Sequence, residues 1–260
     1  MKIYILAALS GASGISGGRY LPSTRESRAD LTAEARKLLA GDVNACVESC
    51  VQAGAGEIIV RDCDGDGFNL TRSGLHPAAD LISGHVPGTL LPDIEGSDAM
   101  LMIGFSALPG TRGYIGTRTL FQPAVQNLFL NGRKAGGIGF FAAAAAEKGI
   151  PVVMVSGDDK ACKEGTEWIP GVTVCPVKTG LSENGALLLP LESARELIRS
   201  ETRKALKQIP AKIPEIIRHP VKLRIEYTYC DAAQGTTAQP DSRICETSAD
   251  TLEEAWFISR

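Results

Sequence analysis

The chain has 260 residues, 44% of them hydrophobic and 22% charged, with a formal net charge of −3. That is enough apolar material for one large core or two small ones. The balance lacks the basic face of a nucleic-acid binder, and no apolar run reaches the roughly 20 residues that span a bilayer. Neither nucleic acid nor membrane is therefore expected as a partner. The seven cysteines are an odd number without a CxxC pair, which fits reduced thiols and a cytoplasmic location better than a disulfide framework.

In chain order, Lys2 to Leu9 reads as a first β-strand. A signal-peptide core is the weaker reading, because the apolar run is short and passes directly into the glycine loop Ser10 to Gly18. That loop has neither GxGxxG nor GxxxxGK[ST] spacing, so it carries no phosphate-binding signature. Residues 19–31 read as a polar excursion. Thr32 to about Ala53 reads as a helix, with a break expected at Gly41 and a stop at Gly54-Ala55-Gly56. Cys46 and Cys50 fall on one face of it and read as small buried residues. Glu57 to Arg61 supplies a second strand, completing a βαβ signature. Asp62-Cys63-Asp64-Gly65-Asp66-Gly67 then imitates the start of a calcium loop, but Ser73 stands at the twelfth position, where a bidentate Glu belongs. A loop at the carboxyl end of a strand is also where α/β folds place their sites, which makes Asp62 and Asp64 functional candidates.

Ala99 to Gly104 reads as a third buried strand, and Phe105-Ser106-Ala107 opens the next strand-end loop. The glycine-rich stretch 109–119 holds Arg112 and Arg118, which read either as solvated surface or as a clamp for a carboxylate. The stretch Asn131 to Asp159 looks central. Asn131-Gly132 asks for a turn with positive φ at both residues. Gly136, Gly137 and Gly139 lead into an alanine-rich helix over Phe140 to Lys148, slim enough to lie close to a sheet. Ile150 to Val155 reads as a buried strand and Ser156 to Asp159 as loop. A strand is expected at 172–177, a helix at 191–208, a half-exposed and antiparallel strand at 221–229, and a short helix at 251–257. The expected fold is α/β: a mostly parallel sheet with flanking helices over residues 1–209, then a smaller C-terminal α+β region over residues 210–260.

These landmarks together resemble the M55 metallopeptidases, the D-aminopeptidase family. The matching stretches are MKIYI, Gly14-Ile15-Ser16-Gly17, DVNAC at 42–46, AGAGEIIVRD at 53–62, LHPAADLISG at 75–84 and LMIGF at 101–105. NGRKAGG at 131–137, GIPVVMVSGDD at 149–159 and Val177-Lys178 complete the set, in family order and over nearly the whole chain. The resemblance implies a homo-oligomeric ring. It also implies a pair of zinc ions held by an Asp and a Glu in D-x-E-G-I-S-G, the His of N-D-S-H-G, the His of G-Y-H and the Glu of V-G-E, with a further catalytic His.

Carried over residue by residue, the first two places fall on Ala8 and Ser10, or on Gly11 and Ser13 if aligned on GISG. The others fall on Asp64, Ser106, Gly137, and Thr117 or Thr119. Zinc takes nitrogen, thiolate or carboxylate donors, so no metal and no cofactor is expected. Two functions stay open. One is a repurposed, metal-independent enzyme acting on an amide or amino-acid-derived small molecule. Asp64, Ser106, Ser10, Thr117 and Lys178 would be its catalytic candidates, and Arg118, Asp62 and Gly137 its substrate-binding ones. The other is a non-catalytic scaffold or binding subunit of the ring. A Ser or Thr oxygen within hydrogen-bond reach of Asp64 or Lys178 would favour the enzyme, and an apolar or collapsed pocket the scaffold.

Overall fold

A computed structural model describes residues 1–22, 24, 27–113, 124–230 and 242–259. The elements run β1 (Lys2–Ala7), α1 (Ala29–Gln52), β2 (Glu57–Asp62), β3 (Asp80–Ile82), β4 (Ala99–Phe105), β5 (Val125–Leu130), β6 (Arg133–Ala135) and α2 (Gly137–Glu147). They continue with β7 (Val152–Asp158), α3 (Asp159–Trp168), β8 (Thr173–Ser182), β9 (Gly185–Leu188), α4 (Leu191–Leu206), β10 (Val221–Tyr227), β11 (Ile244–Ala249) and α5 (Leu252–Ile258).

Seven strands form one sheet in the order β3-β2-β1-β4-β7-β8-β9. All neighbours are parallel except β8 and β9, which form an antiparallel hairpin at one edge. The expected parallel sheet is therefore observed. Strands buried on both faces have no polar side to show, which is why β1, β4 and β7 read as unbroken apolar runs. Alternation divides them between two cores. Ile3, Ile5 and Ala7 of β1 pack with α1 and α4, whereas Tyr4 and Leu6 pack on the side of α2 and the smaller sheet.

That smaller sheet is antiparallel, in the order β11-β10-β5-β6. It joins β10 and β11 to a hairpin from the middle of the chain. The hairpin turns at Asn131 (φ 48°) and Gly132 (φ 83°), the double positive φ that this dipeptide accepts. Along β10, Val221, Leu223, Ile225 and Tyr227 are buried while Lys222 is exposed, as expected for a strand with one covered face.

Three expectations need correction. Helix α1 does not break at Gly41. The missing Cβ there makes room for the Arg195 guanidinium of α4, so this glycine serves packing, not chain reversal. Ser156 to Asp158 complete β7, and Asp159 opens α3 in place of a loop. The Asp158 carboxylate caps that helix by accepting from Lys160 N and Ala161 N. Helix α2 starts at Gly137, three residues before its first aromatic. Among the described residues no helix is long and apolar enough to cross a membrane, and all seven cysteines are free thiols.

Candidate functional site

The carboxyl ends of β1, β2, β4 and β7 meet at one side of the large sheet. Glycine lets them meet closely. A Cβ on Gly11 or Gly157 would overlap the Phe105 carbonyl, and one on Gly104 would overlap the Ala8 carbonyl. Gly104 also sits at φ 76°, a conformation that side-chain-bearing residues rarely adopt. The loops after β1 and β4 are thereby brought into direct contact, with Gly11 N donating to Gly104 O at 2.8 Å.

At this junction Ser10 Oγ donates to Ser106 Oγ at 2.9 Å. Both residues are buried. Ser13, the other candidate in the first loop, points elsewhere. Its hydroxyl and amide both bind the buried Asp42 carboxylate of α1, at 2.6 and 2.7 Å.

Lys178 reaches the loop from β8. Its Nζ donates to the carbonyls of Ser10, Ala12 and Ile15, each at 2.8 Å. Burial pulls its pKa down to about 7, against the charges of Asp158 and Asp42. Three carbonyl acceptors require three N–H groups, which only the ammonium form has. Lys178 is therefore a strut under the loop, and among the described residues its side chain bonds no hydroxyl.

The two acids of the β2 loop are also turned to structure. Asp62 accepts from Asn69 N, Asn69 Nδ2 and Leu70 N at 2.6 to 3.0 Å, which closes the loop on itself. Those bonds make the DxDxDG spacing here a closed turn. Asp64 Oδ2 accepts from Leu9 N at 2.9 Å, tying β2 to β1. Burial raises Asp64 to about 6, opposed by the Leu9 amide. Gly137 is buried at the first turn of α2. Thr117 and Arg118 lie outside the described residues, while Arg112 is exposed.

Sequence reasoning missed three buried polar groups here: Asp42, Asp158 and Glu164. Asp158 carried a signal, since an Asp just before a helical pattern is a standard cap. Asp42 and Glu164 carried none, because one acid on a helix reads as solvated surface until its neighbours are known.

Fold and site thus define an α/β protein whose strand-end loops converge and bring two buried serine hydroxyls into contact. Comparison with known proteins narrows this class. The M55 peptidase family profile, described as D-aminopeptidase, matches residues 1–255. The D-aminopeptidase of Bacillus subtilis (strain 168) is 29% identical over 257 residues, covering 97% of this chain and 90% of that protein. Among solved structures, the Zn-dependent D-aminopeptidase DppA from Bacillus subtilis, a self-compartmentalizing protease, matches with a TM-score of 0.88 at 27% identity, covering 99% of this chain and 95% of that one. The chain belongs to the M55 D-aminopeptidase family.

Proposed function

We propose that this chain is a metal-independent member of the family, working as a self-assembling binding or scaffold subunit in place of a zinc aminopeptidase. The observation that carries this reading is the inward direction of the strong polar groups at the strand ends. Lys178 is filled by three carbonyls, Asp62 by its own loop, and Asp64 is tied to the Leu9 amide. The two hydroxyls bond each other.

The residues present do not fit a pair of zinc ions. Zinc needs converging nitrogen, thiolate or carboxylate donors, and of the family places only Asp64 offers one. Among the described residues no group of three or more His, Cys, Asp or Glu could hold a metal ion. Residues 114–123 read YIGTRTLFQP, so that stretch has no His, Cys, Asp or Glu to add. The Ser10–Ser106 bond supports the ungapped alignment of the first loop, in which both serines stand at ligand places. The alternative Ser13 is engaged with Asp42 instead.

A second reading is a metal-independent hydrolase acting on an amide or amino-acid-derived molecule. It is favoured by Asp64, which accepts from the Leu9 amide at the head of the loop that carries Ser10 and whose pKa of about 6 suits a general acid or base. In either reading Arg118 is the proposed charge partner of a small anionic ligand. The deciding experiment measures zinc in the purified protein and screens it against peptides with N-terminal D-residues and simple amides. No stoichiometric zinc and no turnover is the expected result. Two zinc equivalents per chain would overturn the metal-independent reading. Turnover without metal that Ser10→Ala abolishes would establish the hydrolase.

A further inference from the structure

A carboxylate outside the strand-end group connects the two walls of the site from behind. Glu164 lies on α3 and is buried. Its Oε2 accepts from Leu108 N at 2.6 Å, two residues beyond Ser106. Its Oε1 is turned toward the amides of Gly136 and Gly139, at the start of α2, without a hydrogen bond of normal geometry. Gly136 has to be glycine for this arrangement, because a Cβ there would come within 2.8 Å of Oε1. One side chain thus joins α3, the exit of β4 and the first turn of α2, where Gly137 sits.

We propose that Glu164 is a pH-responsive clasp that ties the exit of β4 to the start of α2 and loosens as it ionises. The carboxylate is buried with one oxygen unpaired, so ionisation is costly while the clasp is closed. Burial accordingly raises the pKa to about 7, opposed by the amides of Leu108, Gly136 and Gly139, with Glu167 adding to the rise.

The surrounding elements offer little compensation. Residues 106–110 and the first turn of α2 carry no titratable side chain. Arg133 of β6 is stacked on the Trp168 ring, 3.7 Å from its centroid. Lys134 bonds the Pro109 carbonyl at 3.1 Å, and on α3 Lys163 lies 3.9 Å from Glu167. An opened Glu164 would meet water and return toward an ordinary carboxylate pKa. The closed form therefore holds its proton more tightly than the open form and is favoured at low pH.

Amide hydrogen exchange of the intact protein tests this, corrected for the intrinsic pH dependence and read between pH 5 and pH 8. Protection of the Leu108 amide and of residues 136–140 is expected to fall about 10- to 100-fold as pH rises, following the linkage between closed and open pKa values. Protection of Ile3 to Leu6 in β1 should not fall in parallel. In Glu164→Gln the local slope should vanish, and in Glu167→Gln it should persist. A flat wild-type profile would overturn the clasp, whether or not the variants fold. The same slope in the β1 core, or in Glu164→Gln, would overturn it equally.

Discussion

Lys178 has a nucleophile's chemistry but a strut's surroundings. Removing its ammonium would leave three buried carbonyls unpaired and take a positive charge away from the buried Asp42 and Asp158. Lys178→Met should therefore lower the unfolding free energy by about 3–5 kcal/mol, the usual loss when one member of a buried charge set is deleted. Urea denaturation checks this, and an unchanged midpoint would mean that the loop after β1 stands without it. Asp64 gives a pH signature of definite sign. Its folded pKa of about 6 lies above its ordinary 3.8. Its contribution to stability is thus fully present below pH 4 and is lost as pH rises toward 6. Asp64→Asn should flatten the fall of the denaturation midpoint across that window. At this scale the sequence placed its candidate residues on loops at strand ends. It could not say whether each polar group faces a ligand or the backbone, because that depends on partners as distant as Lys178 and Ile15.

At the scale of elements, α2 shows why small residues are required where helix and sheets crowd together. Its face lies against β4, β7, α3 and α5, and Ala145 is fully buried. Ala145→Leu should cost about 1–3 kcal/mol from overpacking, read as a lowered thermal midpoint with the parallel-sheet fold retained. Helix α5 is fixed differently. Thr251 and Glu254 form a reciprocal capping box, so Thr251→Ala should lose about 1 kcal/mol. The alanine run, the Asn131-Gly132 turn and the period-2 pattern of β10 were legible because each is written in local backbone preference. Strands β3, β5, β6, β9 and β11 were not. β3, β6 and β9 span only three or four residues, and neighbours supplied by the fold select β5 and β11.

For the whole molecule, the exposed leucines of the β8–β9 hairpin mark a surface that water should not meet. Leu181 and Leu187 are 67% and 64% exposed, with Leu188, Leu189 and Leu191 beside them. Edge strands in natural sheets usually carry charge as protection against pairing, and residues 185–191 carry none. We expect light scattering to give a mass several times 27.5 kDa, and Leu181→Glu with Leu187→Glu to reduce it. A wild-type monomer at micromolar concentration would remove the case for a ring.

The sequence by itself determined the class of fold and the order of its landmarks. These follow from residue chemistry and from hydrophobic periods of 2 and 3.6, both of which are local properties. Tertiary structure decided which face each polar group serves. Ser10 meets Ser106 across 96 positions of chain, and Lys178 meets Ser10 across 168. Such pairings arise when a parallel sheet brings its strand ends together, and no local pattern in the chain encodes them.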